Sequence, residues 1–379
     1  VIPAINFSAH AGTVVVQPTP LCNMRCAYCY LDDLSNRSRM DPVLARRLAV
    51  DLAACPPGHC TEIRWHAGEP LTLGVERFQQ LLEPFEELRG DGRVRHTLQT
   101  NGTLIDAGWC ALFDRHGIGV GVSIDGPRWA NRDRRTLSGA ETFDRAMRGI
   151  QCLTEHGVRF KTISVVTFAA LPTIVERSAE YFDFFRSLGP IEVGFNIEEQ
   201  DGSHRVGATD DRLVRAFWRA IVDRWCAAGG QPRVRDLARV TEFARLSLAG
   251  FDDRRLVDPL PTVAHNGDVV LLSPELSGCR DRRYGDFTVG NLHEDRLSTI
   301  VARGLRADYV DEFREGAERC RSHCRYFDYC RAGQASNRYY EHGDFVTNET
   351  SFCRHSRQAP FDAVVGVSEH HETTSRSPH

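Results

Sequence analysis

From residue 13 to residue 199 the chain repeats one pattern: a short run rich in Val and Ile, then a stretch with helical apolar spacing. The strand-like runs are Thr13–Gln17, Glu62–His66, His96–Thr100, Gly119–Ile124, Lys161–Thr167 and Glu192–Ile197. Helix-like stretches near 41–54, 75–89, 106–116, 141–156 and 172–188 separate them. Several strand runs are nearly continuously apolar, as in strands covered on both faces. Asp41-Pro42 reads as a helix start, a capping Asp followed by Pro at the first helical position. Gly157 and Gly189-Pro190 read as helix ends. Such repeats require parallel strands joined by right-handed crossovers. Six units are too few to close an eight-stranded barrel, so the pattern predicts an α/β fold, a partial (β/α)6 TIM-like barrel. In barrels of this kind chemistry gathers at the carboxyl ends of the strands.

Composition narrows the function classes. A net charge of −4 gives no electrostatic footprint for nonspecific nucleic-acid binding. No apolar run approaches the roughly 18 residues of a membrane span, and the start, VIPAINFSAHAG, lacks a secretory pattern. The expected location is therefore cytoplasmic, with neither nucleic acid nor membrane as partner. The first residue is Val1, not Met, which reads as a trimmed chain. Thirteen cysteines are many for a chain in a reducing compartment, where clustered cysteines read as metal ligands before disulfides. Eight fall in two groups: Cys22, Cys26 and Cys29, then Cys279, Cys320, Cys324, Cys330 and Cys353. Cys55, Cys60, Cys110, Cys152 and Cys226 are scattered and read as buried small hydrophobes or inert thiols.

The first group, Cys22-Asn23-Met24-Arg25-Cys26-Ala27-Tyr28-Cys29, has the spacing C-x3-C-x2-C. Three thiolates can hold three corners of a [4Fe–4S] cube and leave one iron open, unlike a closed four-cysteine cluster. Two other readings stand beside it. A zinc site needs a fourth ligand or a water. A redox pair needs only Cys26 and Cys29.

Each of the next three strand ends also carries a motif. Trp65-His66-Ala67-Gly68-Glu69-Pro70 follows the second strand, Gln99-Thr100-Asn101-Gly102 ends the third, and Ser123-Ile124-Asp125-Gly126-Pro127 ends the fourth. Together with the cysteine run and its Tyr28, they resemble the radical S-adenosylmethionine (SAM) superfamily, with Ala67 in place of the first glycine of a G-G-E-P turn. The resemblance implies that Cys22, Cys26 and Cys29 ligate three irons of a [4Fe–4S] cluster and that SAM chelates the fourth. It implies SAM contacts from Ala67, Gly68 and Glu69, from Thr100 and Asn101, and from Ser123, Asp125 and Arg135. An Arg suits a carboxylate because it can donate two parallel hydrogen bonds.

Cys320-x3-Cys324-x5-Cys330, then Cys353, resembles the SPASM domain of peptide-modifying radical SAM enzymes. The first gap is one residue longer than in that pattern, and Gln334 stands where its fourth Cys falls. These four thiolates suffice for one auxiliary [4Fe–4S] cluster, and Cys279 alone cannot hold another. A four-cysteine zinc site has similar spacings. The basic residues Arg321, Arg325 and Arg331 lie beside the ligands. The expected division is a radical SAM barrel over 1–205, a helical connector over 206–257, a SPASM-like domain over 258–360 and a disordered tail over 361–379.

The segments VVVQPTPLCNMRCAYCYL, WHAGEPL, LQTNGTLI, VGVSIDGP, ISVVT and VGFNIEE are similar to maturases of ribosomally made peptides, specifically the glycine-rich-repeat-associated and three-residue cyclophane-forming group. That resemblance implies an oxidoreductase that joins an aromatic ring to the β-carbon of a nearby residue of a precursor peptide. An external one-electron reductant would serve the first cluster, and the auxiliary cluster would accept an electron. Glu198, Glu199 and Asp125, near predicted strand ends, are candidate proton acceptors. About 12 residues precede the first strand, too few for a leader-binding domain. Two alternatives remain open: formylglycine formation of the sulfatase-maturase kind, and a zinc-binding interaction protein without catalysis.

Overall fold

The structure, a computed structural model, describes residues 5–207, 209–250 and 257–366. Six parallel strands pair in sequence order: β1 (Thr13–Val16), β2 (Thr61–Trp65), β3 (Val94–Thr100), β4 (Gly119–Ser123), β5 (Phe160–Val166) and β6 (Val193–Ile197). Between them run α1 (Pro42–Ala53), α2 (Val75–Leu82), α3 (Ala107–His116), α4 (Phe143–Glu155) and α5 (Ser178–Leu188). This is the partial barrel that the alternation predicts. The Asp41 carboxylate accepts from the Val43 amide at 2.8 Å and starts α1 as expected. The helix expected over 75–89 is interrupted. Pro84 has no amide to donate, and the chain tightens into a 3-10 turn, Glu83–Phe85, before resuming. The helix expected over 172–188 is also two, Leu171–Glu176 and α5, which part at Arg177.

The strands are not apolar on both faces. Val14, Val16, Ile63, Trp65, Leu98, Val120 and Val122 point toward the helices and join the core. The alternate residues, among them Gln99, Ser123 and Asn196, face the other way and make the barrel interior polar. Gln99 Nε2 donates to Ser123 Oγ at 2.8 Å across that face. The period of two in a strand forces this division once helices cover one side only.

The sheet continues past β1. Strand β7 (Thr262–Val263) pairs parallel with β1, and β8 (Asp268–Val270) and β9 (Gly290–Asn291) follow antiparallel. The edge that an open barrel would expose is thus covered by the C-terminal part of the chain. A boundary at 258 therefore separates segments that share one sheet. Strands of two or three residues are too short to show a period.

Helices α6 (Asp211–Ala227) and α7 (Arg235–Leu248) occupy the stretch read as a connector. Helix α6 instead buries Val214, Phe217, Trp218, Ile221 and Val222 in the barrel core. Phe217 and Trp218 pack edge-on with Phe195 of β6, at 5.7 and 6.4 Å between ring centroids. Helices α8 (Leu297–Gly304), α9 (Asp308–His323) and α10 (Ala335–His342) complete the C-terminal part. A second aromatic cluster of Tyr284, Phe287, Tyr309, Tyr339 and Phe345 holds it together. Residues 361–366, expected to be disordered, are helical and bury Ala363; the rest of that expected tail lies outside the described residues. Among the described residues no helix is long and apolar enough to cross a membrane.

Candidate active site

The cysteine run lies between β1 and α1, at the carboxyl end of β1, and three neighbouring loops fix it. The Arg25 and Ala27 amides donate to the Arg135 and Asp133 carbonyls at 2.7 and 2.9 Å. Asn23 Oδ1 accepts from Asn101 Nδ2 at 2.8 Å, and Asn23 Nδ2 donates to Thr103 Oγ1 at 2.9 Å. The Glu69 amide donates to the Leu21 carbonyl at 2.8 Å. Three motifs far apart in sequence thus become one surface. Cys22, Cys26 and Cys29 are free and half-buried. Burial pushes the Cys22 thiol up to about 12 and the Cys26 thiol up to about 11. Shielded thiols of this kind ionise when a bound metal neutralises them.

Asp125 ties the β4 loop to this surface. Its side chain is buried, accepts from the Tyr28 hydroxyl at 2.5 Å and from the Val165 amide at 3.0 Å, and pairs with Arg134 Nε at 3.2 Å. Both carboxylate oxygens are engaged, so Asp125 is placed to position its neighbours. Arg134 also lies over the Tyr28 ring and directs Nη1 toward Cys26 Sγ at 3.7 Å. Burial alone would lower the Arg134 pKa, but Asp125, Tyr28 and Cys26 reverse this and hold it above its usual value. The sequence pointed to Arg135. In the structure Arg135 is half-buried and spends its guanidinium on the Arg132 and Gly139 carbonyls. The guanidinium brought to the thiols belongs to Arg134, one residue earlier. Adjacent arginines in a turn cannot be told apart by spacing.

The turn after β2 is held by tight backbone packing. A Cβ on Gly68 would sit 2.6 Å from the Thr19 and Leu21 carbonyl oxygens, and its φ is +46°. Ala67 beside it has φ 67°, a left-handed conformation that costs an L-residue roughly 1–2 kcal/mol. Glu69 is buried and accepts from the Leu71 amide, the Thr100 hydroxyl at 2.7 Å and the Asn101 amide at 2.7 Å. Burial raises its carboxyl to about 7 even so. Glu69 and Thr100 therefore clamp the β2 and β3 loops together beside Cys22.

The second cysteine set lines one cavity of about 360 Å³ that holds Cys320, Cys324, Cys330 and Cys353 together with Arg325 and Arg357. A tetrahedral zinc–thiolate site has sulfur–sulfur edges of about 3.8 Å. No three of these sulfurs come within 4.8 Å of one another, nor do those of Cys22, Cys26 and Cys29. Both sets are spaced more widely than one zinc ion requires, which suits a polynuclear cluster. Arg338, absent from the sequence-based set, is a further cation at this site. It is buried and donates to the Ala332 and Phe345 carbonyls at 2.8 Å and toward Cys320 Sγ at 3.3 Å. Arg325, by contrast, pairs with Asp362 at 3.5 Å. Cys279 stands apart, with its sulfur 4.0 Å from the Tyr339 hydroxyl.

A group of acids lies between the two sets. Tyr30, which follows Cys29, feels the charges of Glu275, Cys29 and Asp201. Glu199 accepts from Asn337 Nδ2 at 2.8 Å and feels Arg357, which lines the C-terminal cavity. Four buried polar atoms here have no partner: Tyr30 Oη, Asp201 Oδ1, Glu275 Oε2 and Asn337 Oδ1. Burial holds Glu199 and Glu275 up to about 7, and burial together with Glu275 and Glu199 raises Asp201. Of these only Glu199 was visible as a candidate, because Asp201 and Glu275 meet through the tertiary fold. Glu198, another candidate, accepts from the Phe168 amide and faces His204, both at 2.8 Å.

These raised carboxyls set a pH dependence. The native state keeps the Glu275 proton up to about 7, whereas an unfolded Glu loses it near 4.5. Between those values the folded chain binds more protons, so stability falls as pH rises. Glu275→Gln is expected to raise the melting temperature relative to the parent more at pH 8 than at pH 5.5, read by thermal unfolding of the anaerobic protein. An equal shift at both would remove Glu275 from the titration.

A family model for the radical SAM superfamily matches residues 16–182. The uncharacterised protein sll1766 of Synechocystis is 30% identical over 384 residues, covering 96% of this chain and 93% of that protein. A cysteine-type anaerobic sulfatase-maturating enzyme of Clostridium perfringens is 32% identical over 333 residues, covering 82% and 85%. Among solved structures, native anSMEcpe with bound AdoMet superposes with a TM-score of 0.76 at 19% identity, covering 96% and 100% of the two chains. Streptococcus suis SuiB bound to the precursor peptide SuiA gives 0.64 at 16% identity, covering 92% and 76%. These two likenesses are of fold.

Proposed function

Because this chain belongs to the radical SAM superfamily, we propose that it modifies a ribosomally made precursor peptide by forming a bond between an aromatic ring and the β-carbon of a nearby residue. Cys22, Cys26 and Cys29 would hold the [4Fe–4S] cluster that binds SAM, and Cys320, Cys324, Cys330 and Cys353 a second [4Fe–4S] cluster. When bound and reduced by an external one-electron donor, the first cluster with SAM would supply a 5′-deoxyadenosyl radical able to take hydrogen from an unactivated carbon. The chain's own residues do the rest. Arg134, Tyr28 and Asp125 fix the geometry beside Cys26, and the Glu69–Thr100 clamp fixes the opposite wall. Ser123, on the polar interior face, would meet the SAM ribose.

The acid group between the two thiol sets carries this reading. Forming a ring-to-Cβ bond removes one hydrogen atom from the β-carbon and then, as the ring regains aromaticity, one proton and one electron, the electron passing to the second cluster. Carboxylates with pKa values near 7 are suited to accept that proton at neutral pH. Glu199 and Glu275 are the proposed acceptors, and the unpartnered polar atoms of Tyr30, Asp201, Glu275 and Asn337 are where peptide groups would dock. The test is co-expression with a candidate short precursor peptide that carries repeated aromatic residues, followed by tandem mass spectrometry. A product two hydrogens lighter, with fragmentation blocked between the joined residues, supports the reading.

The sulfatase-maturase relative, at 32% identity, favours a second reading: oxidation of Cys or Ser to formylglycine. Formylglycine from Ser also loses two hydrogens, so intact fragmentation through the modified residue is the outcome that would select it. In either case Cys324→Ala is expected to lower iron from about eight to about four per chain. It should remove product while 5′-deoxyadenosine still forms. Unchanged product yield would detach the C-terminal site from the reaction.

A further inference from the structure

Cys110 and Cys152, 42 residues apart and read in the sequence as isolated thiols, meet on the outer side of the barrel. Cys110 lies on α3 and Cys152 on α4. Their sulfurs are 3.7 Å apart. His156, four residues after Cys152, shares its helical face and caps the end of α4. Its Nδ1 lies 3.7 Å from Cys152 Sγ. All three ligand atoms lie within 4.8 Å of one another, and among the described residues no other three Cys, His, Asp or Glu ligands do so.

Those spacings have a physical reading. Zinc bonds of about 2.3 Å to sulfur and about 2.0 Å to nitrogen place tetrahedral ligands about 3.8 Å apart for two sulfurs and about 3.5 Å for sulfur and nitrogen. Both measured edges fall near these values. Burial also grades in a useful direction: Cys110 is buried, Cys152 half-buried and His156 exposed. The site is anchored in the core and opens to solvent at His156, where a water can take the fourth position. Two thiolates and a neutral imidazole balance a divalent charge, so the buried end carries no net charge.

We propose that Cys110, Cys152 and His156 bind one zinc ion that clamps α3 to α4, a metal site separate from both iron–sulfur sites. Binding releases the two thiol protons to solvent and leaves zinc as Zn²⁺, so no electron is moved. His156 Nδ1 now lies 2.9 Å from the Cys152 carbonyl and would exchange that hydrogen bond for the metal.

The test uses the full chain with both iron–sulfur clusters in place, given zinc chloride anaerobically and then desalted. Zinc-edge X-ray absorption is blind to iron, so it reads this site alone. The expected result is about one zinc per chain, with two sulfurs near 2.3 Å and nitrogen or oxygen near 2.0 Å. His156→Gln and Cys152→Ser, at the exposed and half-exposed positions, should each weaken zinc binding at least about tenfold, with iron content and 5′-deoxyadenosine formation unchanged. Three outcomes would overturn it: no retained zinc, an all-sulfur zinc shell (the signature of metal in an emptied cluster site), or zinc binding unaltered in both variants.

Discussion

Replacing Cys26 with Ala is expected to reduce 5′-deoxyadenosine formation by more than about 100-fold, beyond the range for residues that only support a ligand. Cys26 is the sulfur toward which Arg134 points, 3.7 Å away, and it sits in the loop that the Asp133 and Arg135 carbonyls hold. A methyl group there leaves two thiolates where the open-iron cluster needs three. Nothing else in the loop can substitute, because Arg25 and Ala27 on either side offer no ligand atom. Two measurements check this: iron content, expected to fall by about four atoms per chain, and anaerobic SAM cleavage with a chemical reductant. Cleavage at the parent rate would overturn the assignment of the whole site.

The second large effect separates two neighbouring arginines. Arg134→Ala removes one partner of a buried ion pair and strands the Asp125 carboxylate, which is 1% exposed. Breaking such a pair costs roughly 3–5 kcal/mol, because the remaining charge keeps its desolvation penalty. Tyr28, bonded to the same carboxylate, loses its fixed position as well. The variant is expected to melt well below the parent and to bind SAM poorly. Arg134→Lys should recover only part of this, since an ammonium keeps the charge but lacks the planar fork that faces Asp125 and Cys26 together. Arg135→Ala should change stability by no more than about 1 kcal/mol, because its half-buried side chain bonds to carbonyls of its own turn and strands no buried charge when removed. Thermal unfolding and equilibrium SAM binding of the three variants decide the matter. Loss of SAM binding in Arg135→Ala with Arg134→Ala intact would return the role to Arg135.

The sheet shows how far sequence reaches. Val and Ile runs, the Asp41-Pro42 start and the glycine stops mark six strands and most of the helices between them, because those signals act within a few residues. Strands β7, β8 and β9 escape the same reading. They are short, and the first of them is held by the free edge of β1, almost 250 residues earlier in the chain, with β8 and β9 added in turn. Helix α6 looked like a connector for a similar reason. Its apolar face is plain in sequence, but only the structure shows that Phe195 and the barrel helices are what it covers.

The site divides the same way. Spacing set apart the cysteine groups, and the resemblance to the radical SAM superfamily added the strand-end motifs, because ligand geometry and tight turns are local demands. Neither could pick Arg134 over Arg135, add Arg338 to Cys320, gather Tyr30, Asp201 and Glu275, or bring Cys110 to Cys152. Those pairings join residues from separate loops, and their energies depend on distance and on exclusion of water, quantities that exist only once the chain has closed around them. The sequence by itself determined which chemistry the thiols can support. The tertiary structure decided which charges surround them, since burial turns ordinary carboxyls and guanidiniums into strongly interacting groups.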